Sequence, residues 1–305
     1  MEYVGLILIL IAGIFNPVQT GVNSTLRHYV QTPILSCTVS FAVGLLTLMI
    51  LTAINCGGLI PDAGSVSDLP WWAWIGGLMG VIGLTGNILL FPRLGGVLTV
   101  LLPMLGQIVT SMMVDTMGGM EVDRIPMGAG RCSGLILVVL GLILYMGRKN
   151  GDSHRHIAWP WIVLGVSTGV TFAIQPVMNG RLATALGSSI HAAFLSFAIA
   201  TAILLVMLVS MRDERRNIPL VFSAGRPWWT WTGGLLGAYY VTAFALVTPI
   251  AGAGLVTLTG ILGSILCSAV IDSKGLFGRK AQRIRPAQYA GLSLVFLGII
   301  CIKLL

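Results

Sequence analysis

Charge is scarce in this sequence: Asp, Glu, Lys and Arg make up 9% of its 305 residues, against 56% apolar residues. Soluble domains are about a quarter charged. A water-soluble globular fold is therefore excluded, and lipid is the solvent for most of the chain. Acidic residues are scarcer still, ten in all, and none lies in the middle of an apolar run. That removes the embedded carboxylate with which many carriers trade a proton for a cationic substrate. The five cysteines (Cys37, Cys56, Cys132, Cys267 and Cys301) show no ligand spacing. Neither a metal motif nor a disulfide framework follows from them, and they read as small apolar packing residues. No HExxH, Walker A loop or GxSxG elbow occurs, so metalloprotease, nucleotide-driven pump and serine hydrolase chemistry have no carrier residues here. The reading is a protein that is not an enzyme and needs no cofactor or metal. The first apolar run also lacks a basic leader and a small-residue cleavage site, with Glu2 its only charge. It reads as a retained helix, not a signal peptide.

What is abundant is long apolar runs. Ten runs of roughly membrane-crossing length fall at about 3–26, 33–55, 70–91, 93–115, 129–147, 158–180, 189–211, 228–248, 249–271 and 286–305. Their apolar character is continuous and not alternating, which selects helices over barrel strands. A helix also satisfies its own backbone in hydrocarbon. The expected fold class is an all-α integral membrane protein with ten transmembrane helices.

The chain repeats itself. "PWWAWIGGLMG" from Pro70 returns as "PWWTWTGGLLG" from Pro227. Gly13, Gln19, Asn23, Leu26 and Ser40-Phe41 return 156 positions later as Gly169, Gln175, Asn179, Leu182 and Ser196-Phe197. Beyond the Trp motif the offset is 157: Pro92, Gly95, Leu105-Gly106, Ser111, Asp115 and Gly118 meet Pro249, Gly252, Leu262-Gly263, Ser268, Asp272 and Gly275. Two units follow, 1–150 and 151–305, each of five helices. An odd number of crossings inserts the second unit upside down, and inverted repeats are a common construction of secondary transporters. Within the Trp motif, Pro suits a helix start and Trp the headgroup level. GxxxG spacing at Gly76/Gly80 and Gly233/Gly237 suits close helix approach.

Of the 18 basic residues, 14 lie in loops on one side, among them Arg27, Arg93, Arg148, Arg212 and Lys274; Arg124, Arg131, Arg181 and Lys303 lie on the other. The positive-inside rule places the first set in the cytoplasm and both termini on the non-cytoplasmic side. The net charge of +8 is then a topology signal and no nucleic-acid patch. His154 and His156 read as solvated loop residues, His28 and His191 as interfacial.

Neutral polar residues inside the spans carry the functional reading. Asn16, Gln19 and Asn23 stack on one face of the first helix; the second unit has Phe172, Gln175 and Asn179 there, and Gln107 meets Ser264. Pro17, Pro103 and Pro176 interrupt the same helices and free backbone carbonyls toward a cavity. Candidate substrate-binding residues are Asn16, Gln19, Gln107, Gln175 and Ser264. The alternative role for such residues is hydrogen bonding between helices. Asp115 and Asp272, repeat-related and at helix ends, are candidate gating or coupling residues, against a plain anchoring role.

These motifs together resemble the YdcZ-type family of the drug/metabolite transporter superfamily: the Gln-x3-Asn-x2-Leu first helix, Ser-Phe in the second, PWWxWxGG, the Pro-x2-Gly turn and the Gln107…Ser111…Asp115…Gly118 series. The resemblance covers both units and implies a fused, double-length member in a bacterial inner membrane. It further implies a central cavity that moves a small organic molecule, working as a monomer or homodimer. Two departures stand out: no Glu embedded within the first helix, and Ser264 in place of a second Gln. Outward termini also differ from the cytoplasmic termini usual in ten-helix members. The sequence thus predicts a secondary carrier of a small polar or amphipathic metabolite, with export one of the directions left open, whose partners are a small-molecule substrate and the bilayer. A non-transporting assembly or sensor subunit is the alternative, and an intramembrane enzyme is weaker than either.

Overall fold

The computed structural model describes residues 2–61, 64, 67, 69–118, 120, 124–146, 159–223, 225, 227–277, 281 and 285–304. Side chains at 2, 91–101, 146, 213, 272, 303 and 304 lie outside the description. The side chains of Arg93, Asp272 and Lys303, and residues Arg148, His154 and His156 whole, therefore stay as sequence readings.

Nine helices of 18 residues or more are seen among the described residues: α1 (Glu2–Val30), α2 (Pro33–Cys56), α3 (Gly76–Met117), α4 (Ala129–Met146), α5 (Trp159–Leu186), α6 (Ser189–Ser210), α7 (Gly233–Ala251), α8 (Ala253–Lys274) and α9 (Pro286–Leu304). Short 3₁₀ turns formed by the Trp motifs, Trp71–Ile75 and Trp228–Trp231, lead into α3 and α7. Seven segments are long and apolar enough to cross a membrane, and Ala129–Tyr145 and Pro286–Ile302 are shorter apolar helices. The chain is an all-α membrane protein.

The sequence places a break at Pro92–Gly95, yet the backbone of α3 is helical over 42 residues. It is not one straight rod. A Cβ on Gly86 would strike Thr168, and one on Gly169 would strike the Pro103 carbonyl and the Gln107 amide. Along a straight helix residues 86 and 103 would stand about 25 Å apart, whereas Thr168 and Gly169 are neighbours. The parts 76–90 and 102–117 therefore lie side by side against α5.

The main packing partners lie in opposite halves of the chain: α1 with α7 and α8, α5 with α3, α2 with α6, and α4 with α9. Glycine makes this possible. Gly13 meets the Gly260 carbonyl, and its counterpart Gly169 meets the Pro103 carbonyl. Gly77 sits on the backbone of Ser196 and Ala200 while Gly234 sits on Ser40 and Gly44; Gly134 and Gly141 face Gly298 and Gly291. The GG of each Trp motif thus has a defined use, because a side chain there would separate two helix backbones. The indoles of Trp71 and Trp228 stay exposed, as anchoring at the headgroup level requires.

Gly141→Leu would drive a side chain into the Gly291 carbonyl and the Val295 amide. It is expected to lower the melting temperature of detergent-purified protein by several degrees, an overpacking cost of roughly 1–3 kcal/mol. Gly58→Ala, with open space around it, should melt like the parent.

Candidate functional site: a cavity between the halves and a buried ion pair

Helix α1 contributes polar residues at every turn from Asn16 onward, and Pro17 breaks its internal ladder. Proline has no N–H, so the carbonyl four residues earlier loses its helical donor. That carbonyl is Gly13, and the hydroxyl of Ser264, from α8, donates to it at 3.0 Å while also lying 3.0 Å from the Gly260 carbonyl. The same logic holds on α3. Pro92 leaves the Ile88 carbonyl without its helical donor, and Arg27 Nη1 donates to it at 2.9 Å. Arg27, a loop charge by sequence, is thus tied to a neighbouring backbone.

Beyond these contacts lies a cavity of about 460 Å³. Its polar lining includes Asn16, Thr20 and Ser24 of α1, Asn87 and Gln107 of α3, and Ser268 of α8. Phe172 of α5, Tyr240 and Phe244 of α7, and Phe277 beyond α8 supply aromatic walls. Both halves of the chain contribute. The Tyr240 hydroxyl lies within hydrogen-bonding reach of the side chains of both Gln107 and Asn16, so three helices meet in one polar cluster. The Tyr240 ring stacks on Phe244 with centroids 4.2 Å apart. Along α8 the lining runs from Thr257 to Ile271, about 21 Å at helical rise. The cavity ends beside exposed His28.

At the opposite end of α8 the structure is pinned. Asp115 is fully buried and its Oδ2 meets Arg131 Nη2 at 2.7 Å. The carboxylate also accepts from the backbone N–H groups of Ala253 at 2.8 Å and Gly254 at 3.0 Å. These are orphan donors at the start of α8, where the helix dipole favours a negative charge. Gly252, at φ 81, makes the turn into α8, and a Cβ there would meet Ile125 and Asp115. Arg131 Nη1 reaches the Ile125 carbonyl at 3.0 Å. One carboxylate therefore holds α3, α4 and α8 together. By the repeat offset Asp272 corresponds to Asp115, but Gln288 stands where Arg131 would be.

The sequence candidates separate into groups. Asn16, Gln107 and Ser264 line the cavity. Gln19 and Gln175 sit elsewhere, over Gly237 and Gly80 beside the Phe41–Phe197 ring pair, whose centroids are 4.9 Å apart. Asn23 and Asn179 are fully buried, and their amide atoms lack hydrogen-bond partners among the described residues. Each oxygen packs where a Cβ of Gly233 or Gly76 would be.

A protein-family model described as "Putative inner membrane exporter, YdcZ" matches residues 4–144 and again residues 160–301. The chain belongs to this YdcZ family. It is a double-length member, an inner-membrane protein of a transporter family. A solved crystal structure 13% identical in sequence aligns over 96% of this chain and 97% of its own length, with a TM-score of 0.63; that likeness shows the fold alone. No curated protein matches the sequence significantly. In this YdcZ protein sequence reasoning missed Tyr240, although a signal was present: its repeat counterpart is Gly83, so a large polar ring enters one unit only. It also missed Arg131 as the partner of Asp115, because the repeat carries no second Arg.

Removing one partner of a buried pair strands the other charge, at about 3–5 kcal/mol. Arg131→Met alone should lower the melting temperature sharply. Adding Asp115→Asn should recover much of the loss, read from the same thermal melts.

Proposed function

We propose that this chain is a secondary carrier of ten spans in two inverted five-helix repeats, 1–150 and 151–305, that moves a small polar or amphipathic organic metabolite by alternating access. The observation that carries the proposal is the cavity: residues from both halves line it, it ends at one side of the fold, and the Asp115–Arg131 clamp stands beyond its other end. Contacts that persist when the halves are exchanged support the repeat reading. Gly76 lies under Asn179 as Gly233 lies under Asn23, and Gly80 under Gln175 as Gly237 under Gln19. Phe41 and Phe197, each other's counterpart by offset, meet across the seam.

In this reading 76–90 and 102–117 are the third and fourth spans, matching α7 and α8. The cavity opens on the Arg-rich side, which the positive-inside rule makes cytoplasmic, with both termini outside. Asp115 and Arg131 form the outer gate, and Asp272 marks the corresponding place on the inner side. Asn16, Gln107 and Ser264 line the substrate path, while Gln19 and Gln175 act at the seam between the halves. Because one chain supplies both walls, a monomer suffices. The cavity favours a carrier over a non-transporting subunit, which needs only a dry, packed interior.

A ligand that binds the folded state raises the melting temperature by mass action. In a metabolite screen a stabilising solute should lose its effect in Gln107→Ala and keep it in Gln19→Ala, and proteoliposomes should move that solute. A solute that stabilises both variants alike would displace the site from this cavity. Failure of any solute to move would overturn the carrier reading. Separately, a reporter active only in the cytoplasm should be silent after Leu305 and active after Arg279; the reverse result would invert the orientation.

A further inference from the structure

We infer that the cavity selects an uncharged solute bearing a ring and at least two neutral hydrogen-bonding groups, and that Asn16, Gln107 and Tyr240 are the residues that recognise it. The inference rests on the carrier reading and adds the substrate class to it.

The two units differ at three pairs of positions whose members line the cavity, Gly83 excepted. Asn16 corresponds to Phe172, Gln107 to Ser264 and Tyr240 to Gly83. In one set, two carboxamides and a phenol come together in the cavity lining, the Tyr240 hydroxyl within hydrogen-bonding reach of both amides. In the other set Ser264 is the only hydrogen-bonding side chain. The Phe172 ring lies over Gly83, 3.0 Å from where a Cβ would stand, and the Ser264 hydroxyl is directed at the backbone carbonyls of Gly13 and Gly260. The same cavity therefore joins a cluster of hydrogen-bonding groups to aromatic surface.

Each part specifies something about the occupant. A carboxamide offers two donors and a carbonyl acceptor, and a phenol one donor and an acceptor. Bonding to Tyr240 leaves each amide further capacity, and it is neutral capacity of both polarities. Such a set satisfies hydroxyl, amide or ring-nitrogen groups, which need only replacement of their hydrogen bonds with water. A carboxylate, phosphate or ammonium needs a counter-charge when it leaves water. Among the described residues no Asp, Glu, Lys or Arg lines the cavity, and His28 stands at its exposed end. The rings of Phe172, Phe244 and Phe277 offer faces and edges to a ring in the solute. A volume of about 460 Å³ lies in the range of pockets for drug-sized molecules.

The test uses paired probes, one neutral and one anionic on the same ring, nicotinamide against nicotinate and inosine against its 5′-monophosphate, with the purified full chain. Thermal melts give apparent affinities, and competition for flux in proteoliposomes gives an independent reading. The neutral member of each pair should bind at least tenfold more tightly than the charged one. Tyr240→Phe, which removes a single oxygen, should weaken the neutral probe about tenfold, and Asn16→Ala and Gln107→Ala should each do the same. Asn55→Ala, at an exposed helix end, should leave it unchanged. Parent-like melting of the unliganded variants separates lost recognition from lost folding. Should a charged probe bind as tightly as its neutral partner, or a neutral probe bind Tyr240→Phe undiminished, the substrate class is overturned while any measured flux keeps the carrier. If neither neutral probe binds and no wider set of uncharged ring-bearing amides and alcohols does, the inference falls; absence of flux for every solute, charged or neutral, removes the carrier reading with it.

Discussion

Where Gly13 faces Gly260 and Gly169 faces Pro103, two helix backbones touch with no side chain between them. The rest of the structure depends on this constraint. Lipid gives helices no hydrophobic reason to associate, so dispersion contact between close backbones has to hold the bundle together. Such contact demands glycine on matching faces of helices from opposite halves. Because the strongest packing is between halves and not within them, neither half encloses a core by itself. The space left at their seam, where polar and aromatic residues replace glycine, is the cavity.

Unsatisfied backbone in hydrocarbon is the second constraint, and the prolines expose it. Pro17 and Pro92 each leave a carbonyl without a helical donor, and each finds a side chain from another helix, Ser264 and Arg27 respectively. A break that permits bending is thereby tied to a neighbouring element. The start of α8 is satisfied in the same manner from outside, by Asp115 with Arg131 behind it. A buried charge pair is weak evidence for stability. Its position is more informative, since it joins three helices where the cavity stops.

Symmetry and its failures divide structure from chemistry. Positions that agree between the units (the Gly76 and Gly233 pairs, Asn23 with Asn179, Phe41 with Phe197) make contacts that hold the halves together. Of the positions that differ, Asn16, Gln107 and Tyr240 against Phe172, Ser264 and Gly83, all but Gly83 line the cavity. A substrate is not symmetric, so a site that binds it has reason to depart from the repeat.

The all-helical membrane class, the doubling of the unit and the family were legible in the residues alone, because hydropathy over about 20 residues and repeated glycine and tryptophan motifs are local signals. The sequence also marked Asn16 and Gln107, since an amide inside an apolar run is legible without neighbours. Which polar residues share a space followed from the packing of the helices. Gln19 lies one helical turn from Asn16, yet packs over Gly237 at the seam while Asn16 meets Tyr240. Helical periodicity assigns a residue to a face, but the helix opposite that face comes from elsewhere in the chain. The partner of Asp115 was hidden for the same reason: Arg131 reads as a loop charge until α4 folds it against the first turn of α8, where burial makes the pair obligatory.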